Sequence, residues 1–356
     1  MGRVVPTVDD LLAAPVGVVL LDRLEAAERP VAPPFWALAD SDPAAVDRAT
    51  RAVGALSSGR LLHVALGAAD HLAGPWSSGA PGSLALAYEL APARRALTEL
   101  LWARFREDLV AGRQLGLQEH WTDLAQPPWP TPPGFTDLAA VYGNGEFTFS
   151  GLWTVSPPPD DVHDDLVATW EMYQGEVTRW RLPVRPGARV WGIDHPADWV
   201  ALVERYPRTA ARSHAGWELP GPNQSASDVA LLASAPGQHA VRTAVDRHVL
   251  PDWRAVACDY DGVHLSWAGF LTAEGFVSDL PGGGVTMLRY WGSERTLWLA
   301  DVFGEPEPLG PPVLSGRVSG VTGTDVRQGN PSRLQADRAA LAHRLNRPPA
   351  PRPSGY

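Results

Sequence analysis

The chain has no lysine, one cysteine and one isoleucine, and the first two absences remove classes of chemistry. All 30 basic residues are arginine. Without lysine there is no Schiff base to a carbonyl substrate or to pyridoxal phosphate, and no lysine-bearing phosphate loop. Cys258 stands alone, so no disulfide closes within the chain and no cysteine cluster can hold zinc. No G-x-G-x-x-G follows a strand pattern, and no G-x-S-x-G nucleophile elbow occurs. Long uncharged apolar runs are also missing. The first 25 residues, MGRVVPTVDDLLAAPVGVVLLDRLE, are broken by Asp9, Asp10, Pro15 and Asp22. Neither a signal peptide nor a membrane span is expected from them, and a cytoplasmic location is the default.

What is present is a globular composition: 356 residues, 45% hydrophobic, with 15 tryptophans. A net charge of −10 argues against a partner held through phosphate contacts, so no nucleic acid is expected. The expected partner is an unidentified small molecule or protein. No cofactor is specified by any motif.

Along the chain, helical signals come first. Thr7 and Asp10 form a capping-box-like pair, and Pro15 with Gly17 interrupts the helix they start. Asp42-Pro43 is a second helix start, followed by Ala45, Val46, Ala49 and Val53 at helical spacing. Leu61–Leu72 reads as another helix. Ser83–Val110 carries the stripe Leu97, Leu101, Phe105 and Leu109, with a break at Pro92. Residues 1–125 are therefore expected to form a helical domain. Gln126–Gly134 (QPPWPTPPG) has five prolines in nine residues. It marks an extended linker over 126–139.

From Glu146 the apolar period changes to two, through Phe147, Phe149, Trp153 and Val155. Asp160 or Asp161 starts a helix after Pro157–Pro159. Trp180, Leu182 and Val184 alternate, and Arg189–Ile193 reads as a strand. Asp194 is the expected cap of the next helix, with Pro196 in its first turn. Residues 207–225 are expected as loop, and two short helices follow near 226–234 and 238–248. Val285–Trp291 and Thr296–Phe303 close the pattern as strands. The fold class is therefore α+β, a helical domain followed by a mixed α+β domain over 140–305. Residues 306–356 are expected to be a mostly disordered tail, with one possible helix at Leu334–Leu345.

The candidate chemistry gathers in Asp252–Leu271, DWRAVACDYDGVHLSWAGFL. Tyr260–Gly262 reads as a turn and Val263–Trp267 as a strand. Alternation then puts Val263, Leu265 and Trp267 toward a core, and His264 and Ser266 toward a cavity or groove. Asp259, Asp261, His264 and Ser266 are the candidate site residues. The plainer reading of the two aspartates is an acidic turn at the head of a strand. Asp259, Asp261 and His264 are metal ligands by type, as are Asp160, Asp161, His163, Asp164 and Asp165, but neither spacing is that of a particular metal site.

Cys258-Asp259-Tyr260-Asp261-Gly262-Val263 resembles the D-x-D-G-[TV] signature of haloacid-dehalogenase-type phosphatases. The resemblance covers six residues. It implies Asp259 as nucleophile and Asp261 as general acid, at the end of a parallel strand beside Mg2+. A second alternative is an enzyme similar to NAD-using ADP-ribosyltransferases. Arg189, Ser266 and Glu294 come in the order such enzymes use, with Tyr290 or Trp291 placed to stack on a nicotinamide. Finally, FWALADSDPAAVDRATRAV, GLWTVSPPPDDVHDDLVATWE and the tract above resemble a family of uncharacterised proteins from high-GC actinobacteria. That resemblance implies a soluble bacterial protein with no assigned activity.

Overall fold

A computed structural model describes residues 5–28, 42–73, 87–110, 117–122, 152–156, 178–209, 212–213, 216–217, 247–288, 291 and 293–309. The proline-rich linker, the helix expected after Asp160, the helix expected near 226–234 and the tail beyond 309 lie outside these residues, as does the helix expected near 238–248 except for its last two residues, where His248 forms a β-bridge to Val285.

Among the described residues, the chain opens with α1 (Val8–Ala13), α2 (Pro15–Ala26), α3 (Pro43–Val53), α4 (Ser58–Ala73) and α5 (Arg95–Leu109), the last preceded by a short helical piece over 87–90 and a 3-10 turn over Ala91–Arg94. Their starts follow the sequence signals. Thr7 and Asp10 form a reciprocal capping box on α1, and the Asp42 carboxylate accepts the Ala44 amide at the head of α3. Pro92 falls in the 3-10 turn rather than in a regular helix, as its missing amide requires. Helix α2 is buried on nearly every side, including Asp22 and Glu25. It packs on α1, α3 and α4. The two carboxylates meet Arg94, whose Nε lies 2.8 Å from Glu25 Oε2 and whose Nη2 lies 2.9 Å from Asp22 Oδ1.

The helical region ends before 117, because β1 (Leu117–Thr122) is a strand. It pairs antiparallel with β3 (Thr178–Pro183), which pairs on its other side with β13 (Glu307–Leu309). A four-stranded sheet forms from β2 (Leu152–Thr154), β4 (Val190–Ile193), β9 (Gly262–Leu265) and β12 (Arg295–Trp298), in the order β2-β12-β9-β4. Only β4 and β9 run parallel. Single bridges join the two sheets at Glu119–Val155 and Val184–Phe303. The chain between carries α6 (Pro196–Arg205), short β5 (Pro207–Thr209), β6 (Arg212–Ser213) and β7 (Gly216–Trp217), then β8 (Val249–Pro251), α7 (Trp253–Asp259) and α8 (Trp267–Ala273). The ribbon β10 (Val277–Asp279) and β11 (Val285–Met287) turns through Gly283 and Gly284, both at positive φ. The residues expected as loop over 207–225 thus include short paired strands. The mixture of helices and mostly antiparallel sheets is α+β, as the pattern of elements requires.

One face of the four-stranded sheet presents Val263, Leu265, Leu297 and Ile193 to a core that also contains Leu20, Leu97, Leu101 and Phe270. The opening helices and the sheet therefore share one apolar cluster, and α8 packs directly on α2. The other face carries Val190, Gly262, Trp298 and Leu152 in one row, then Gly192, His264, Thr296 and Thr154 in the next. The first row packs on Leu182 and Phe303 in a small apolar cluster. The second begins a polar interior.

Candidate functional site

The tract chosen from the sequence divides into two places. Asp252 caps α7, accepting the amides of Arg254 and Ala255, and Pro251 belongs to the preceding strand rather than to the first helical turn. Asp259 ends that helix, and Asp261 follows in the turn. Both precede β9, whereas the phosphatase signature needs a strand before its aspartates. Their carboxylates are already engaged. Asp259 accepts from Tyr206 Oη and from Arg205 Nη2 at 3.0 Å. Asp261 accepts the Arg189 backbone amide at 2.7 Å and lies 3.8 Å from its guanidinium. The hydrogen bond from Tyr206 outweighs partial desolvation, and Arg205 adds to it, so Asp259 ionises below the usual range. Among the described residues, no three His, Cys, Asp or Glu side chains gather as a metal site.

Around these aspartates lies an arginine–aromatic surface that the sequence reading did not assemble. The Arg205 guanidinium sits 5.3 Å from the Tyr206 ring centre and 5.7 Å from that of Tyr260. Trp191 meets Tyr260 edge-on at 5.3 Å and donates its indole N–H to the Asp198 carbonyl. The Arg205 and Arg189 side chains are 53% and 58% exposed, so the array faces solvent. Arg205 and Tyr206 are chain neighbours, but Tyr260 stands 55 residues away from Arg205, so no local spacing signals the array. It exists because α6 ends beside the turn between α7 and β9.

The second place is buried. The expectation that His264 and Ser266 face a cavity or groove is overturned, since both are fully buried. β9 is a central strand covered on both faces, so alternation selects a polar interior rather than solvent. The strand also ends at Leu265. Ser266 caps α8 by accepting the Gly269 amide at 3.0 Å and donates to the Ile193 carbonyl. Trp267 is therefore the first residue of a helix, not the last of a strand.

His264 Nδ1 lies 2.9 Å from Thr296 Oγ1 and 3.5 Å from Glu294 Oε1. Ser156 donates its hydroxyl to Glu294 Oε1 at 2.7 Å and its amide to Glu294 Oε2 at 3.0 Å. The network continues through Gln118 Nε2, which donates to Ser156 Oγ at 3.1 Å, and through Thr154, which donates to Gln118 Oε1. Trp298 Nε1 closes it by donating to Thr154 Oγ1 at 2.7 Å. Burial pushes the Glu294 carboxyl up to about 8, against the lowering effect of the Ser156 hydrogen bonds. Sequence reasoning found His264 and Glu294 but missed Ser156, Thr296 and Gln118. The signal was available in Thr154-x-Ser156, His264-x-Ser266 and Glu294-x-Thr296: polar residues two apart where three strands end or begin.

The ADP-ribosyltransferase-like set does not converge. By the strand register Glu294 and Ser266 lie near one end of β9, while Arg189 stands beside Asp261 at the other. Four residues of strand separate the ends by about 13 Å. Trp291 is buried edge-on against Trp153 rather than open for stacking, and Tyr290 lies outside the described residues.

Comparison with protein-family models, with curated proteins and with solved structures returns no match. No helix among the described residues is long and apolar enough to cross a membrane.

Proposed function

We propose that this chain is a binding protein that engages a small molecule or a protein partner through the surface formed by Trp191, Arg205, Tyr206 and Tyr260. The observation that carries the reading is the Arg205 guanidinium held over two tyrosine rings. Tyr206 and Asp259 fix the array in place, so little order is lost when a ligand arrives. Arginine and aromatic side chains are the residue types that dominate binding energy when such surfaces are covered. The acids and the serine first picked as catalytic are engaged internally, which favours binding over turnover at that tract. The reading includes a soluble, cytoplasmic bacterial setting, taken from the sequence resemblance.

The test is a melting screen of the full chain against NAD+, nucleotides, sugar phosphates and divalent metals, repeated on Arg205→Ala and Tyr260→Ala. A ligand that binds only the folded state raises its melting temperature. The reading expects a ligand whose shift is lost in both variants. A compound that is consumed, or that stabilises wild type and variants alike, replaces it with a site elsewhere.

A further inference from the structure

We infer that Glu294 and Ser156 form a proton-operated latch that holds β2 on its sheet and releases it when the carboxyl ionises. Strand β2 is three residues long and lies at one end of its sheet. Its backbone pairs with β12 on one side, and on the other meets β1 through the single bridge Glu119–Val155. So short a strand is held in large part by side chains. The next residue, Ser156, gives both its amide and its hydroxyl to one carboxyl that is 1% exposed. Glu294 is on the segment leading into β12, so the hydrogen bonds tie the end of β2 to the strand it pairs with.

The surroundings decide what happens when that carboxyl loses its proton. His264 on β9 is the titratable group facing it, at 3.5 Å. Arg295, next in the chain, adds a weak lowering influence. Among the described side chains, β1 and β2 offer neutral Gln118, Thr154 and Ser156; His120 of β1 falls on the same side as Gln118 by alternation. Glu119 follows Gln118 and by alternation points to the opposite face. Glu274, at the end of α8, accepts the Trp291 amide. The Ser156 hydrogen bonds favour the ionised form, but burial outweighs them. An ionised carboxylate in a dry interior is costly and is relieved by admitting water. The strand with the least backbone pairing is the one that yields. The closed strand holds the carboxyl neutral up to about 8, whereas a solvated carboxyl ionises near 4.5, so the end of β2 lifts progressively more often as pH rises toward 8.

Hydrogen exchange of the full-length protein, followed between about pH 6 and pH 10 around the Glu294 midpoint, tests this. After division by the intrinsic chemical rate, protection at Val155 and Ser156 should fall by up to about tenfold per pH unit from about pH 6 to pH 8, as one proton is released per opening, and level off above 8. Protection in β9 should not follow it. Glu294→Gln, which keeps an acceptor and cannot ionise, should hold protection at β2 constant. Identical profiles in wild type and Glu294→Gln overturn the latch, and so does a loss shared equally by β2 and β9. If Glu294→Gln does not fold, Ser156→Ala serves. Removing the hydroxyl that favours ionisation should raise the pH at which the fall levels off, and an unmoved plateau overturns the proposal.

Discussion

His195 ties together the starts of two helices: its Nδ1 accepts the Ala197 amide at 3.0 Å while its Nε2 lies 3.2 Å from Asp10 Oδ1. Since Nδ1 accepts, the ring proton belongs on Nε2, where it faces the carboxylate that also caps α1. One imidazole thus joins the helical layer to α6. Burial raises Asp10, but hydrogen bonds from Thr7 and His195 more than offset it and leave its carboxyl below the usual range. Losing an N-cap costs about 1 kcal/mol. His195→Ala should lose both the cap and the link, and His195→Asn only the link. Urea titrations should rank wild type above His195→Asn and His195→Ala last. Equal stability of the two variants would show that the Asp10 contact contributes nothing.

Asp22, Glu25 and Arg94 place two carboxylates against one guanidinium with less than 2% of any side chain exposed. Desolvation dominates at Asp22 and pushes the pKa of its carboxyl up, despite the attraction of Arg94. A raised folded value means that the stabilisation is fully present below the ordinary value of 3.8 and fades as pH rises through the folded one. Asp22→Asn should therefore be neutral or stabilising at pH 7, whereas Arg94→Met, which strands both carboxylates, should cost about 3–5 kcal/mol. Denaturant midpoints at pH 5 and pH 8 separate the two; a destabilised Asp22→Asn at both pH values contradicts the sign.

Gly269 has no room for a methyl group, because a Cβ there would lie 2.1 Å from the Ile193 carbonyl oxygen. That carbonyl also accepts from Ser266. Gly269→Ala should push α8 from the end of β4 and cost about 3 kcal/mol or more, above what the helix preference of alanine returns. A melting curve close to wild type would mean that α8 shifts freely.

His264 and Trp267 should prove similar in their effect on stability. Trp267 is buried against Phe270. Trp267→Ala is expected to cost about 3–5 kcal/mol. His264→Ala removes the partner of Thr296 inside the sheet and should cost about 3 kcal/mol. Melting curves of both variants check it; a His264→Ala protein as stable as wild type would reopen a functional role for that ring.

Glu294 should impose its own pH dependence on global stability. Its folded value of about 8 stands above the ordinary 4.5, so its contribution is complete below 4.5 and declines as pH rises to 8. Unfolding free energies of wild type and Glu294→Gln, compared from about pH 5 to pH 8, should differ by a term that moves against wild type as pH rises. A constant difference would place the titration elsewhere.

Local signals carried most of the helical half. Thr7, Asp42, Pro92 and the Leu97–Leu109 stripe act within a few residues of where they stand, so their meaning survives without tertiary information. The alternating strands at 180–184 and 190–193 were legible for the same reason. The cap at 194–195 shifted by one because Asp198 draws the Asp194 and His195 amides, leaving His195 to cap. Val263–Trp267 was read one-sidedly since alternation shows two faces but not what covers them. Ser156 and Glu294 could not be paired from the sequence at all, because the strand order that joins them is a long-range property.

Strand β2 finds its partner β12 only after most of the chain has been made, with Thr154 opposite Thr296. Helix α2 is ready far earlier, yet the flank that α8 will cover waits for residues 267–273. During synthesis helices α1 to α5 therefore leave the ribosome with an uncovered oily seam. Closing pairings between such distant segments is slow. The interval between those two events is the chain's period of greatest exposure to aggregation and to chaperones.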